Sequence, residues 1–593
     1  MQSSQTDDRI LDNDPKLEVE RFELVSSSNV PMDGFEGGKV SMSTIVAVFF
    51  LGLSFTGPIG CGYTLVAGIT HQIGTALNNL QDMVWVAGGW SIASATGFAV
   101  AGGLSDIFGR RWVIIYGNAL SVIGAIVAAT ADKVNQVIAG STLVGAGAGM
   151  VFVGYPGISE ILPNKYRGIG LGWTEFCINI PWASFSVIIG QQLTSKYTWR
   201  WCYYVAIIYS AISLVGCAVF YFPPTRPRND FDKSRWQEFK GLDFVGLFMF
   251  TGGLTILLVG FTELGKPSYN KSLVASTITV GAIMFIGCFG YEWTVCPKPL
   301  FPFHLFKMVR KFTMLLLVSF VAGFVWYSMA ALLPQASLYM YTKDPVEIGV
   351  IAIPNGISLV VGGWVIPSLL QYIKHIRGQF IVGMFVQTLF TALYAAVIPN
   401  HKGAWMTFQF FGQGCFTWIT TIAYIAAGLE VPQEDLGVAS GLIGTFRSAG
   451  GSFGNSIFNT ILNSVINKDL GGNIARAAIS RGFPADRVER LVPVVIQAES
   501  GVPGAPRMLA RMDGITPAIL AAIADAVKNT YAKAFRMVFY ASIPFGVIAL
   551  IGSFFIHDSS DKLTNHVAVQ QEKEVLSGKV NDPKKRLSNM GQI

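Results

Sequence analysis

The sequence predicts an all-α polytopic membrane protein, on three observations. Of 593 residues, 51% are hydrophobic and only 13% charged, with a mean hydropathy of +0.48, a balance outside the range of soluble domains. The apolar residues are gathered in blocks of roughly 18 or more, the length a helix needs to cross a ~30 Å hydrocarbon core. Lys and Arg gather in the short connections beside these blocks, so the net charge of +7 marks membrane-adjacent loops and not a nucleic-acid surface.

Taken in order, residues 1–42 open polar and acidic (Asp7, Asp8, Asp12, Asp14, Glu18, Glu20, Glu23). With no basic n-region and no short apolar core, they read as a disordered cytosolic tail, not a cleaved signal. Fourteen candidate spans follow. Six (43–63, 83–103, 112–130, 135–155, 168–190, 201–222) form an N-terminal bundle over 43–222. A cytosolic linker, 223–242, leads to a pair at 243–261 and 272–291, inserted as 243–291, and a cytosolic loop, 292–311. Six more (312–333, 347–370, 378–398, 403–427, 437–462, 535–556) form a C-terminal bundle over 312–556, and 557–593 is a charged cytosolic tail. With the N-terminus inside, the short inner loops carry about fifteen Lys/Arg (Lys165, Arg167, Arg310 and Lys311 among them) against about seven outside, which supports that orientation.

One connection breaks this economy. The outer loop 464–534 is too long for a passive link. Within it Thr516-Pro517, followed by Ile519, Leu520, Ile523 and Val527, reads as a capped amphipathic helix entering the last span. The sequon Asn270-Lys271-Ser272 lies close to the membrane and is expected to stay unused. The seven cysteines lie mostly inside apolar runs without a CxxC pair, and read as packing residues.

The most specific short stretch is Gly103-Leu104-Ser105-Asp106-Ile107-Phe108-Gly109-Arg110-Arg111, a tight charged turn between spans 2 and 3. Gly103 and Gly109 permit close backbone approach and positive φ. Asp106 ends one helix, and Arg110 and Arg111 open the next. The pattern resembles the signature loop of the major facilitator superfamily. That resemblance implies a major facilitator fold, with fourteen transmembrane helices arranged as two six-helix bundles and an inserted helix pair, matching the repeat logic of secondary transporters. The equivalent loop of the second bundle, Pro367–Gly378, keeps its basic residues but neither the Gly nor the Asp.

Ionisable residues inside spans are costly and mark function. Glu175 in span 5 and Arg447 in span 13 stand out, in helices that correspond between the two bundles. A desolvated carboxylate can load and release a proton near neutral pH, which makes Glu175 the candidate proton carrier and Arg447 its candidate partner. A substrate cavity is expected from Trp173, Asn179, Trp182, Trp326, Tyr327, Asn355, Gln387, Gln409, Gln413 and Trp418. Many aromatics with few charges suit an apolar or amphipathic organic molecule. No metal site, cofactor motif, nucleotide-binding loop or enzymatic constellation is present, so energy is expected from an ion gradient.

Five runs narrow the resemblance: Leu104–Trp112, Glu160-Ile161-Leu162-Pro163-Asn164-Lys165-Tyr166-Arg167-Gly168, Thr198–Tyr204, Tyr221–Pro227, and Gly444-Thr445-Phe446-Arg447-Ser448-Ala449-Gly450-Gly451. They resemble the fungal trichothecene efflux pump family, with the siderophore-iron transporters as close relatives. The resemblance implies a fourteen-span drug:proton antiporter that expels toxic metabolites or drugs such as mycotoxins. Two positions depart from antiporter motifs. Ser141 stands where an Arg is usual in span 4, and Asn179-Ile180-Pro181 replaces Gly-Pro in span 5. The expected partners are a small-molecule substrate, protons and the lipid bilayer, with no nucleic acid, for a protein expected to be a monomer. The plasma membrane is the expected location, with a vacuolar or vesicle membrane as the alternative. A siderophore-iron transporter and a non-transporting nutrient sensor are the competing functions.

Overall fold

In the computed structural model, residues 40–563 are described except 78, 80, 224–242, 265–269, 297–300, 433–434, 500–503 and 513. The expected N-terminal tail up to residue 39, nearly all of the 223–242 linker, part of the 292–311 loop and the tail beyond 563 lie outside the described residues. Every long element among the described residues is a helix, and no strand occurs among them.

Helix α1 (Met42–Leu53) starts on Ser41, whose side chain accepts from the Ser43 N–H. It continues as a π-helical stretch, Thr56–Leu65. Pro58 supplies no N–H there, and Ile59 and Gly60 both donate to Phe55 O, at 3.1 and 3.4 Å. A short α2 (Thr70–Ala76) precedes α3 (Val84–Phe108) and α4 (Arg110–Ala129). These last two are divided by a single residue, Gly109, at φ 85°, a conformation that only glycine adopts without strain. Then come α5 (Val134–Val151), α6 (Gly154–Ile161), α7 (Arg167–Ile178), α8 (Ser184–Lys196) and α9 (Arg200–Phe220). The segment expected as one span at 168–190 is therefore two helices. Ile180, which precedes Pro181, is extended at φ −113°, ψ 126° and breaks the rod.

The inserted pair is α10 (Phe244–Leu264) and α11 (Lys271–Thr294). The sequon Asn270 caps α11, accepting from Ser272 N at 3.1 Å and Leu273 N at 3.3 Å. After α12 (Phe303–Lys307) come α13 (Met314–Met340), α14 (Pro345–Val360), α15 (Ile376–Val397), α16 (Lys402–Glu430) and α17 (Leu436–Ser480). A π-helical stretch, Val361–Val365, extends α14. The remainder is α18 (Val488–Glu499), α19 (Ala505–Ala510) and α20 (Pro517–Phe554).

Ten helices among the described residues are long and apolar enough to cross a membrane. Outside that set lie α3, α16 and α17, of 25, 29 and 45 residues, and the two halves α7 and α8. The Gly, Ser, Thr and Gln of α3, α16 and α17 lower the hydropathy of helices whose length alone would suffice, whereas α7 and α8 are each too short. Helices up to α9 pack chiefly among themselves, as do those from α13 on, and α10 lies against both α3 and α17. The two groups meet along α3 with α17 and along α7 and α8 with α14 and its extension. Backbones touch at these seams. A Cβ on Gly102 would stand 2.6 Å from Gly437 O, and one on Gly441 2.6 Å from Phe98 O.

The segment expected as the outer loop 464–534 is built differently. α17 runs on to Ser480 and α20 begins at Pro517, with Thr516 accepting from Ile519 N at 3.3 Å. Leu470, Ile474, Ala478, Leu491, Val495, Ile519, Ile523 and Val527 are buried there. Lys533–Asp469 (2.7 Å) and Lys343–Glu499 (3.0 Å) close the rim. The sequence places the end of the span at 462 because hydropathy falls there. The helix itself continues because its next turns find an apolar partner.

Candidate functional site

Two constellations stand where the helix groups meet. At the signature-loop end, the Asp106 carboxylate leaves α3 and reaches the start of α17, where its Oδ2 accepts from Val438 N at 3.2 Å. A carboxylate at a helix start satisfies an orphan N–H and faces the positive end of the helix dipole. Arg110 Nη2 lies 3.7 Å from Asp106 Oδ1, and its guanidinium grips Glu160 with two bonds of 2.6 Å. Arg110 is 2% exposed, a depth at which an arginine needs such a fork. Arg111 donates to Ala218 O at 2.7 Å and lies over the Phe222 ring at 3.8 Å, tying α4 to the end of α9. Gly103 is buried, and its neighbour Gly102 meets Gly437 at the seam. Arg167 crosses to the other group, donating to Gly428 O at 2.8 Å.

The chain after α20 adds a strap. Lys562 and Lys311 bond the Glu430 carboxylate at 2.9 and 2.8 Å, and Asn164 of the first group donates to Lys562 O at 3.0 Å. Asp558 Oδ1 and Ser560 Oγ accept from Ile376 N at 3.1 and 2.9 Å. The second loop lacks its own Asp, and the strap supplies the carboxylate at the start of α15.

The second constellation lies midway along the seam. Glu175 (3% exposed) is pressed against the other helix group, since a Cβ on Gly363 would stand 2.7 Å from Glu175 Cβ. Its Oε1 accepts from Tyr155 Oη at 2.5 Å and its Oε2 from Asn179 Nδ2 at 3.3 Å. Arg447 (5% exposed) comes from α17 and lies over the rings of Phe152, Phe416 and Phe98, at 4.8, 5.7 and 6.0 Å. Its charge interacts with Glu175 and with Tyr155, Tyr327 and Tyr424. Among the described residues it forms no ion pair within 4.0 Å, and its buried Nε has no hydrogen-bond partner. Tyr424 Oη and Trp326 Nε1 are likewise without one. Trp326 stacks on Phe416 at 4.4 Å, with Tyr327 edge-on at 4.8 Å.

The remaining expected cavity residues are spread out. Trp182 sits in the break between α7 and α8 beside Tyr209, and Asn355 lies on α14 with a buried, unpartnered Oδ1. Trp173 packs away from the centre, donating to Phe49 O at 3.2 Å. Gln387 donates to Ala322 O at 3.4 Å and Gln413 to Tyr394 Oη at 3.2 Å, both inside the second helix group. Gln409 is buried on α16, and Trp418 bonds Gln379 at 3.0 Å. Ser141, at the motif position where Arg is usual, bonds Tyr203 Oη at 3.1 Å. Sequence reasoning passed over Tyr155, Tyr424 and the pairing role of Glu160. Glu160 opens one of the quoted runs, whereas a tyrosine inside a span leaves no hydropathy signal.

Among known proteins, a family model described as the fungal trichothecene efflux pump (TRI12) matches residues 41–587. The chain belongs to that family. The trichothecene efflux pump of Fusarium sporotrichioides is 26% identical to this family member over 505 residues, covering 82% of this chain and 83% of the relative. The MFS-type transporter prx5 of Penicillium rubens is 29% identical over 503 residues, covering 80% and 89%. The proton:xylose symporter XylE of the major facilitator superfamily superposes with a TM-score of 0.51 at 12% identity, covering 88% of this chain and 97% of the other. The trichothecene efflux pump family member described here thus has an all-helical major facilitator fold. It is an integral membrane protein and a transporter of the efflux-pump kind.

Proposed function

We propose that this protein is a proton-coupled exporter of apolar or amphipathic organic molecules, working as a monomer with fourteen spans, two six-helix bundles and both termini cytosolic in the plasma membrane. The observation that carries the reading is Glu175, a carboxylate buried at the seam between the helix groups and held by Tyr155 and Asn179. A group in that place can be offered to either side as the bundles rock, and its charge changes with the proton it carries. Glu175 takes a proton from the acidic side and releases it to the cytosol, and substrate moves the other way. The lining supports the substrate class. Half-buried Trp326 and Tyr327 offer aromatic surface beside Phe98, Phe152 and Phe416, while Arg447, Tyr424 and Trp326 offer unpartnered donors that suit a molecule carrying carbonyl or ether oxygens. The loop at Asp106 and Arg110 latches the cytosolic end. The efflux-pump relatives favour export of a toxic metabolite or drug and lend no support to iron transport.

The test is efflux of a labelled trichothecene and of an amphipathic dye from proteoliposomes under an imposed pH gradient. Wild type is compared with Glu175→Gln and Arg447→Ala. Glu175→Gln is expected to abolish gradient-driven efflux and keep substrate binding. Undiminished gradient-driven efflux in Glu175→Gln removes Glu175 from the mechanism.

A further inference from the structure

Among the described residues Glu175 makes no ion pair within 4.0 Å with the second helix group, and Tyr155 is the side chain both bonded to its carboxylate and stacked on that group. Tyr155 belongs to α6 and is 1% exposed. Its hydroxyl donates to Glu175 Oε1 at 2.5 Å, and its ring stacks on Tyr424 of α16, with centroids 4.4 Å apart and planes at 20°. Behind it, Phe55 meets the ring edge-on at 5.1 Å and Phe152 lies against it at 5.3 Å. Tyr424 carries the contact further, since a Cβ on Gly444 of α17 would stand 3.2 Å from its Oη, one turn before Arg447. One tyrosine is therefore bonded to the carboxylate in one helix group and stacked on the wall of the other.

We infer that Tyr155 is a positioning residue that conveys the protonation state of Glu175 across the seam. The inference rests on the reading of Glu175 as the proton carrier. An ionised carboxylate only accepts, and the bond from Tyr155 is then charge-assisted and strong. Protonation turns Glu175 into a donor as well, and the bond drops to the strength of a neutral pair. Tyr155 then loses the anchor that holds its ring against Tyr424, and the seam loosens at its midpoint. The titratable and charged groups facing Glu175 are Tyr155 from α6, Tyr424 from α16 and Arg447 from α17, with Tyr327 of α13 facing Arg447 in turn. Asn179 is the neutral group on its own chain segment. Of these, only Tyr155 both bonds the carboxylate and stacks on the opposite helix group.

The experiment needs no substrate. Spin labels are placed at Asp132 and His401, exposed positions in the α4–α5 and α15–α16 connections, with Cys296, the one cysteine that is not buried, changed to Ser. Pulsed electron–electron distance measurements on the full-length protein in nanodiscs then follow the two populations from pH 5 to 9. Wild type is expected to switch with a single midpoint, and Glu175→Gln not to switch. Tyr155→Phe removes only the hydroxyl, and its midpoint is expected to move to higher pH by about one to two units. Tyr424→Leu leaves the Tyr155–Glu175 bond in place, and is expected to reduce the amplitude of switching without moving the midpoint. A Tyr155→Phe midpoint equal to wild type, or full amplitude in Tyr424→Leu, overturns the inference and leaves the Glu175 reading standing. Wild-type switching in Glu175→Gln overturns that reading itself. Should Tyr155→Phe fail to fold, the amplitude in Tyr424→Leu still decides.

Discussion

Asp106→Asn tests whether the signature loop latches the cytosolic end. The side chain comes from α3 but caps α17, it is 14% exposed, and Arg110 lies 3.7 Å away. Asparagine keeps an oxygen that accepts from Val438 N. A charge-assisted bond of about 1.5–3 kcal/mol is thus replaced by a neutral one of about 0.5–1.5 kcal/mol, a loss of about 1 kcal/mol. Removing the charge from the helix start costs about 0.3–1 kcal/mol more. The sum is about 2 kcal/mol, or roughly a 30-fold shift in the balance between closed and open cytosolic ends. Ser105 is fully buried beside the seam, so a cysteine placed there reports opening. Its labelling by a membrane-impermeant maleimide from the cytosolic side should quicken by about that factor, and transport should fall at normal expression. Labelling unchanged from the wild-type background, with full transport, would refute the latch.

Gly102→Ala should open the same end further, because its Cβ would lie 2.6 Å from Gly437 O and 3.3 Å from Val438 Cα, and backbone cannot swing aside; the Ser105→Cys probe reads this too. At Glu430 burial pushes the carboxyl up, but the ammonium groups of Lys311 and Lys562, 2.8 and 2.9 Å away, outweigh it and hold the group below its ordinary value. A value depressed on folding contributes stability that is present above the unfolded pKa of ~4.3 and is lost as pH falls through the folded one. Glu430→Gln should therefore lower the thermal midpoint at pH 7 by the same amount as at pH 6, with the gap closing only below about pH 4; a gap already closed at pH 6 contradicts the strap. Leu491→Ala removes a fully buried side chain from the lid, the cap formed by the end of α17, α18, α19 and the start of α20, a loss of about 2–5 kcal/mol in well-packed sites. It should make 481–516 protease-sensitive while transport per folded molecule stays at wild type, and a transport defect without proteolysis would count against a purely structural lid.

The signature turn was legible in the sequence because single residue types carry it. Gly109 does divide two helices at positive φ, and Asp106 and Arg110 do face one another. Glu175 and Arg447 could be picked out as charges inside apolar runs, and they do lie in one region of the seam. What lies between them could not be picked out, because Tyr155 and Tyr424 contribute through a hydroxyl and a ring face, and a one-dimensional pattern records neither direction nor partner. The polar residues expected in the cavity show the same limit. Gln387 and Gln413 share the composition of a lining residue, yet each donates its amide N–H inside one helix group, with the buried Oε1 left unpartnered. The helix ends slipped for a related reason. Hydropathy marks where lipid stops, and α17 continues for as long as Leu470, Ile474 and Ala478 find something to pack on.

That continuation of α17 gives the molecule a lever arm. Past the expected end of the span at 462, about 27 Å of unbroken helix carries the lid, at ~1.5 Å per residue. α20 runs beside it and enters the membrane without a break, so the arm has no hinge at its root. A rocking of the second bundle through on the order of 15°, the size of rigid-body turn seen in switching proteins, would sweep the tip through roughly 7 Å. Small rotations within the bilayer are thereby converted into displacements far above it, where a fluorophore or a bulky binder at Arg481 or Arg487, both exposed, would read or arrest each turn of the cycle.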